Sequence, residues 1–206
     1  KKGHLMRLDC RSLEFEYFPF NPEGFQLVLV DSRVKHELKD SPYNKRRESC
    51  ERVAKRLGIE TLRDASMEDL EGIKSDITAE DFFRAKFVIE EKERVLAVCD
   101  ALVAGDYETV GKKMYETHAG LSKDYEVSCV ELDFLNDVAK EMGVTGSRIM
   151  GGGFGGCTIN LLPNDLHDKF VAEVTARFNE KYGHEPMIYD VVISDGARLV
   201  KEAPKA

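Results

Sequence analysis

Ser147-Arg148-Ile149-Met150-Gly151-Gly152-Gly153-Phe154-Gly155-Gly156-Cys157-Thr158-Ile159-Asn160-Leu161-Leu162 is the stretch from which the rest of the chain is read. Five of the six positions from Gly151 to Gly156 are glycine, between two short apolar runs. Glycine gives up more backbone entropy on folding than any other residue, so such a cluster needs a cause. One cause is steric: positive φ is cheap only for glycine, which makes the stretch a tight strand-to-strand turn with close backbone packing. The other is functional, because successive bare N–H groups can form a concave nest for an anion. Spacing leaves both open. Neither common phosphate loop fits. Cys157-Thr158 follows where a P-loop carries Lys-Ser/Thr, and Ile159, Leu161 and Leu162 read as a strand where a dinucleotide fingerprint opens a helix.

Around this turn the last third reads as strand (Arg148 to Met150), glycine turn, strand (Gly156 to Leu162), helix (about Asp165 to Tyr182) and strand (Met187 to Ile193). Pro163-Asn164 separates the second strand from its helix, and Gly183 suits that helix's C-cap. Upstream, the continuous apolar run from Phe25 to Val30 is consistent with a buried central strand. With the helices between, the order is β-α-β-β-α-β, a ferredoxin-like arrangement with an elaborated first crossover. The fold class expected is therefore α+β, a split β-α-β sandwich with extra helices. Residues 4–9 and 13–18 read as a hairpin turning at Asp9-Cys10-Arg11-Ser12, followed by the linker Pro19 to Gly24. A lone two-stranded hairpin is marginal in water, so it calls for further strands. Residues 1–20 are thus expected to be the remnant of a preceding domain and 21–206 the main domain. Lys1 is not a methionine and a strand starts almost at once, so the chain reads as a piece of a longer protein.

The middle is helical. Ser41 and Pro42 suit the start of a helix whose face is Cys50, Val53, Ala54 and Leu57 and which stops at Gly58. Lys45, Arg46 and Arg47 in its first turn oppose the helix dipole and read as a solvated basic face relieved by Glu48 and Glu51; the other reading is that they face an acidic ligand. Ser66 can cap a short helix to about Gly72. A long helix starts at Thr78 and ends at Gly105, with Phe82, Phe83, Val88, Ile89, Val95, Leu96, Cys99, Leu102 and Val103 mostly on one broad face. Asp106 can cap the next, which carries Val110, Met114 and His118 at four-residue spacing. His118 there reads as packed or surface rather than catalytic, with Asp124 or Glu126 as candidate partners. Ser128-Cys129-Val130-Glu131 fits a capping box for a helix ending at Gly143.

Composition excludes several classes of function. The 206 residues are 42% hydrophobic and 33% charged, enough for a real core, and the net charge of −8 argues against nonspecific binding to nucleic acid or an anionic membrane. No apolar run approaches the roughly 20 residues that span a bilayer. Five dispersed cysteines without CxxC pairs fit reduced thiols and a cytoplasmic setting better than a disulfide framework or a zinc site.

The run from Ser147 to Leu162 closely resembles the third conserved motif of the galactokinases, within the GHMP sugar and isoprenoid kinases. Phe154 and the trailing Gly155-Gly156-Cys157 match the galactokinase version. Met150 departs from it, standing where the family usually has threonine, so a hydroxyl beside the loop is lost. Asp31-Ser32 with Ser41 to Arg47 and Cys50 is similar to the segment whose tyrosine helps bind galactose, and His118 to Ser128 is also galactokinase-like.

The resemblance implies a GHMP C-terminal domain and, for the whole protein, phosphorylation of galactose to galactose 1-phosphate with ATP and Mg²⁺. It implies that Tyr43 contacts the sugar and that Gly151, Gly152, Gly153, Gly155 and Gly156 close against the active site. Tyrosine suits a sugar's mixed surface, with an apolar ring and one hydroxyl. The phosphate loop, metal ligands and catalytic aspartate belong to the family's N-terminal half. No catalytic or metal residue is therefore assigned here, the partners expected are galactose, ATP and the protein's own N-terminal domain, and this chain alone is expected to be inactive. A galactokinase-like sugar sensor and an N-acetylgalactosamine kinase are the alternatives.

Overall fold

The apolar run beginning at Phe25 is the strand on which the molecule is built. The structure, a computed structural model, describes residues 1–35 and 43–197. The helix start expected at Ser41-Pro42 and the tail 202–206 lie outside the described residues. Among them, the order is β1 (His4–Leu8), β2 (Phe15–Pro19), β3 (Phe25–Asp31), α1 (Tyr43–Leu57), α2 (Met67–Gly72), α3 (Ala79–Ala104), α4 (Tyr107–Lys123), α5 (Val130–Glu141), β4 (Gly146–Ile149), β5 (Cys157–Pro163), α6 (His167–Tyr182) and β6 (Met187–Asp190).

β3 is central in a four-stranded sheet of order β4-β5-β3-β6, antiparallel throughout. This is the split β-α-β arrangement expected from the order of elements. Alternate residues of a strand face opposite sides, and here both sides are covered, which explains why β3 reads as a continuous apolar run. Val28 and Val30 pack with Leu132, Leu135 and Val138 of α5 and with Phe170, Val174 and Phe178 of α6. On the other face Leu161 packs with Ala101 and Leu102 of α3, Val110 of α4 and Phe20 from the end of the hairpin. β1 and β2 form their own two-stranded sheet, whose loop is tied to the body by the Arg11–Asp64 and Arg63–Asp9 ion pairs.

Helix α4 reaches the sheet edge through two glycines. A Cβ on Gly111 would sit 2.1 Å from the Thr145 carbonyl oxygen, and one on Gly146 would sit 2.4 Å from the Gly111 Cα. Only bare backbone permits that approach.

Three expectations are corrected. The broad apolar face of α3 is not one face: Phe82, Ile89, Cys99 and Leu102 are buried, whereas Phe83, Val95, Leu96 and Val103 are exposed. The helix changes neighbours along its length. Phe82, Ala85 and Ile89 pack with α1 and α2, whereas Ala101 and Leu102 pack with α4 and the sheet. The capping box at Ser128 does not form: Cys129 is the N-cap of α5 and gives no side-chain bond. Ser128, one residue too early, donates instead to Asp133 Oδ1 at 2.6 Å. His118, expected to be packed or on the surface, is buried, and its partner is Asp133, with Nε2 3.1 Å from Oδ1. The two carboxylates expected for it are engaged elsewhere, Asp124 with Lys86 at 2.8 Å and Glu126 with Arg84 at 3.3 Å.

Candidate functional site

The glycine stretch is the turn between β4 and β5. Met150 N donates to the Cys157 carbonyl at 2.9 Å, closing its base. The turn leans on two other segments at points where no side chain would fit. A Cβ on Gly153 would meet the Val127 carbonyl oxygen at 2.1 Å, and one on Gly155 the Val34 carbonyl oxygen at 2.6 Å. Phe154 N donates to the Val127 carbonyl at 2.5 Å, and Gly156 N to the Val34 carbonyl at 3.2 Å. The Gly156 carbonyl accepts from both Ser32 N, at 2.9 Å, and Ser32 Oγ, at 2.8 Å. Close packing therefore accounts for Gly153 and Gly155. Gly151 and Gly152 differ: nothing lies within 4 Å of a Cβ at either, and no hydrogen bond among the described residues uses their amides.

Those two glycines share a cavity with Tyr43. It has a volume of about 620 Å³, within the ordinary range for small-ligand sites, and is lined also by Cys50, Phe87, Leu121, Tyr125 and Val127. Its floor is a small apolar cluster in which Phe87, Tyr125 and Val127 are buried against Cys50, Val88, Leu121 and Phe154. Tyr43, at the start of α1, is 43% exposed, so its ring forms wall rather than core. Of the residues singled out in the sequence, the structure brings Tyr43, Gly151 and Gly152 together on this cavity, whereas Gly153, Gly155 and Gly156 shape the turn behind it.

The two titratable groups of the cavity's apolar floor, Cys50 and Tyr125, are neutral at physiological pH, whereas Arg47, Glu51, Glu60, Arg63, Glu91 and Lys92 also line the cavity. Burial pushes the Cys50 thiol up, and burial pushes the Tyr125 hydroxyl well above its ordinary value. Neither is suited to act as a base. What the wall offers a ligand is aromatic surface, the half-exposed side chain of Tyr43, the backbone at Gly151 and Gly152, and charged side chains of both signs.

The basic triplet is a solvated face in two of its three members. Lys45 and Arg47 are exposed, and Arg47 pairs with Glu51 at 2.7 Å. Arg46 is only 8% exposed; its Nε donates to the Tyr125 carbonyl at 2.9 Å and its Nη2 to the Glu126 carbonyl at 2.6 Å. The helix dipole argument treated the three cations alike, whereas a buried acceptor pair selects one of them. Phe87, Leu121 and Val127 also escape the sequence reading, since nothing local separates them from other core residues. For Tyr125 and Val127 the signal available was the galactokinase-like stretch from His118 to Ser128.

Comparison with known proteins points the same way. The family described as GHMP kinases C terminal matches residues 99–180. The chain is similar to the galactokinase of Thermotoga petrophila, 41% identical over 201 residues that make up 97% of this chain and 56% of that protein. It is 40% identical to the galactokinase of Homo sapiens, over 97% of this chain and 50% of that protein. The chain thus spans about half the length of the curated relatives it matches. The solved structure of Lactococcus lactis galactokinase complexed with galactose aligns at a TM-score of 0.87 and 31% identity, covering 95% of this chain and 52% of that one. L. major mevalonate kinase in complex with R-mevalonate shares the fold at a TM-score of 0.58 and 18% identity, covering 91% of this chain and 47% of that one.

Proposed function

Because this chain belongs to the galactokinase branch of the GHMP kinases, we propose that it is the C-terminal part of an enzyme that transfers the γ-phosphoryl group of ATP to galactose, giving galactose 1-phosphate. One observation carries the reading. Tyr43 and the Gly151-Gly152 pair, more than a hundred positions apart in sequence, line one cavity of a size that takes a sugar. In this reading the Tyr43 ring and hydroxyl contact the sugar, and the amides of Gly151 and Gly152 face polar atoms of the bound substrates. Gly153, Gly155 and Gly156 hold the turn in shape.

Phosphoryl transfer depends mainly on positioning and on neutralising phosphate charge, the latter being what Mg²⁺ supplies when bound with ATP. No residue of this chain is assigned to the metal, whose ligands in this reading belong to the N-terminal half. No acid or base is assigned either: in this reading that role belongs to the N-terminal half, and burial keeps Cys50 and Tyr125 protonated. This chain's share of the reaction is then to bind and orient the sugar, and alone it does not turn over. Its five cysteines are free thiols, in keeping with the cytoplasmic placement that belongs to the same proposal. Among the described residues no helix is long and apolar enough to cross a membrane.

The test is ADP release and isothermal titration with galactose and ATP, on the complete protein that carries this chain and on this chain alone. Galactose-dependent ADP release by the complete protein only is the expected result. Galactose binding without ADP release would replace the enzyme with a sensor, and a clear preference for N-acetylgalactosamine would replace the sugar. ADP release by this chain alone would remove the division of labour.

A further inference from the structure

Arg46 lies one helical turn beyond Tyr43, on the same side of α1. A cation in a helix's first turn opposes the dipole, and burying it adds a desolvation cost, so its place needs strong compensation. Part of that compensation comes from backbone. The Glu126 carboxylate stands 3.7 Å from its Nη2, on a side chain that is 57% exposed. The planar guanidinium takes two successive backbone carbonyls, Tyr125 and Glu126, as a fork. Glu126 stands at φ +52°, a left-handed conformation that is costly for a residue with a Cβ. The guanidinium carbon also lies 5.5 Å from the centroid of the Phe154 ring, and Phe154, in the glycine turn, stands at φ +60°. Phe154 N in turn holds the Val127 carbonyl at 2.5 Å. Two strained side-chain-bearing residues, Glu126 and Phe154, are therefore neighbours of one arginine.

We propose that Arg46 is a positioning residue for Tyr43, because its single guanidinium joins the start of α1 to the Tyr125-Glu126 backbone and to Phe154 of the glycine turn. This rests on the reading of Tyr43 as the sugar contact. Arg46 sits on α1 and touches two further segments distant in sequence, Tyr125-Glu126 and Phe154, which lie beside the cavity. It sets the separation between the Tyr43 ring and Gly151-Gly152, and does so without facing the substrate. Lysine at this position keeps the charge but cannot bond two successive carbonyls in one plane.

The experiment is steady-state kinetics of the complete protein as wild type, Arg46→Lys, Tyr43→Phe and the double variant, with melting temperatures for each. Arg46→Lys is expected to fold and to raise the KM for galactose by ~10-fold, leaving the KM for ATP within ~2-fold of wild type. Combining it with Tyr43→Phe is expected to add little, since the arginine acts through the tyrosine. An unchanged galactose KM, a fully multiplicative double variant, or equal rises in both KM values with a lowered melting temperature would each overturn the inference. Should Arg46→Lys not fold, Phe154→Leu leaves both carbonyl bonds in place and is expected to raise the galactose KM by ~3-fold; no change there would also overturn it. Wild-type protein inert toward galactose would instead sink the functional reading, and the two failures are thereby told apart.

Discussion

The ring of Tyr43 meets the ring of Tyr125 edge to face, with centroids 6.2 Å apart and planes at 81°. Tyr125 in turn packs on Phe87 at 4.9 Å, so the exposed tyrosine rests on a buried aromatic pair. Edge-to-face contact suits the ring quadrupoles, and it holds the Tyr43 ring by its apolar edge. That division, buried support beneath an exposed polar tip, sets what mutation should do.

Tyr43→Phe removes only a hydroxyl from a side chain that is 43% exposed. Stability is expected to stay within about 0.5 kcal/mol of wild type. In the complete protein the galactose KM is expected to rise by roughly 3- to 10-fold, the worth of one ordinary hydrogen bond. Denaturant melts and sugar-dependent kinetics check the two halves separately.

Gly153 and Gly152 should respond differently to the same substitution. Gly153→Ala adds a Cβ 2.1 Å from the Val127 carbonyl oxygen at φ +85°, whereas the same atom on Gly152 meets nothing within 4 Å. Gly153→Ala is expected to cost about 2–4 kcal/mol, from left-handed backbone plus overpacking. Gly152→Ala should cost under about 1 kcal/mol and act on ligand affinity instead. Urea titration of both variants gives the comparison.

Gly111→Ala runs against helix propensity. Glycine inside a helix is ordinarily worse than alanine by about 1 kcal/mol. Here the added Cβ would lie 2.1 Å from the Thr145 carbonyl oxygen, a backbone atom that cannot rotate away. We expect a net loss of about 1–3 kcal/mol, read as a lower urea midpoint at unchanged slope.

Asp133 links α4 to the start of α5 and should give the fold part of its acid sensitivity. Burial raises the pKa of its carboxyl, but the bonds with His118, Ser128 and Ser122 outweigh that and hold it below the ordinary 3.8. A depressed carboxylate stabilises the folded state fully above the unfolded pKa and loses that contribution as pH falls through the folded one. Asp133→Asn is therefore expected to be less stable than wild type by about 1–2 kcal/mol at neutral pH, a figure already reduced because the side chain is partly open to water. The gap should shrink below about pH 4. Melts of both proteins across that range would show it, and a gap independent of pH would contradict the assignment.

Much of this fold is local information. Alternation and apolar runs mark β3, β4 and β5 to within one or two residues, and Thr78, Asp106 and Gly183 mark helix ends because capping is settled within a single turn. The glycine stretch announces a turn by itself, since the need for bare backbone is written into residue type. What sequence could not settle is which partner a side chain finds. His118 goes to Asp133 rather than Asp124 because Lys86 already holds Asp124, and that competition exists only once α3, α4 and α5 are packed. Arg46 is buried while its neighbours Lys45 and Arg47 stay in water, because two carbonyls some eighty positions away are presented to one of the three. The meeting of Tyr43 with Gly151 and Gly152 is likewise a product of the sheet order, which brings the β4–β5 turn beside the start of α1. Periodicity and capping are short-range; burial, pairing and the cavity depend on contacts between segments that composition and spacing leave unspecified.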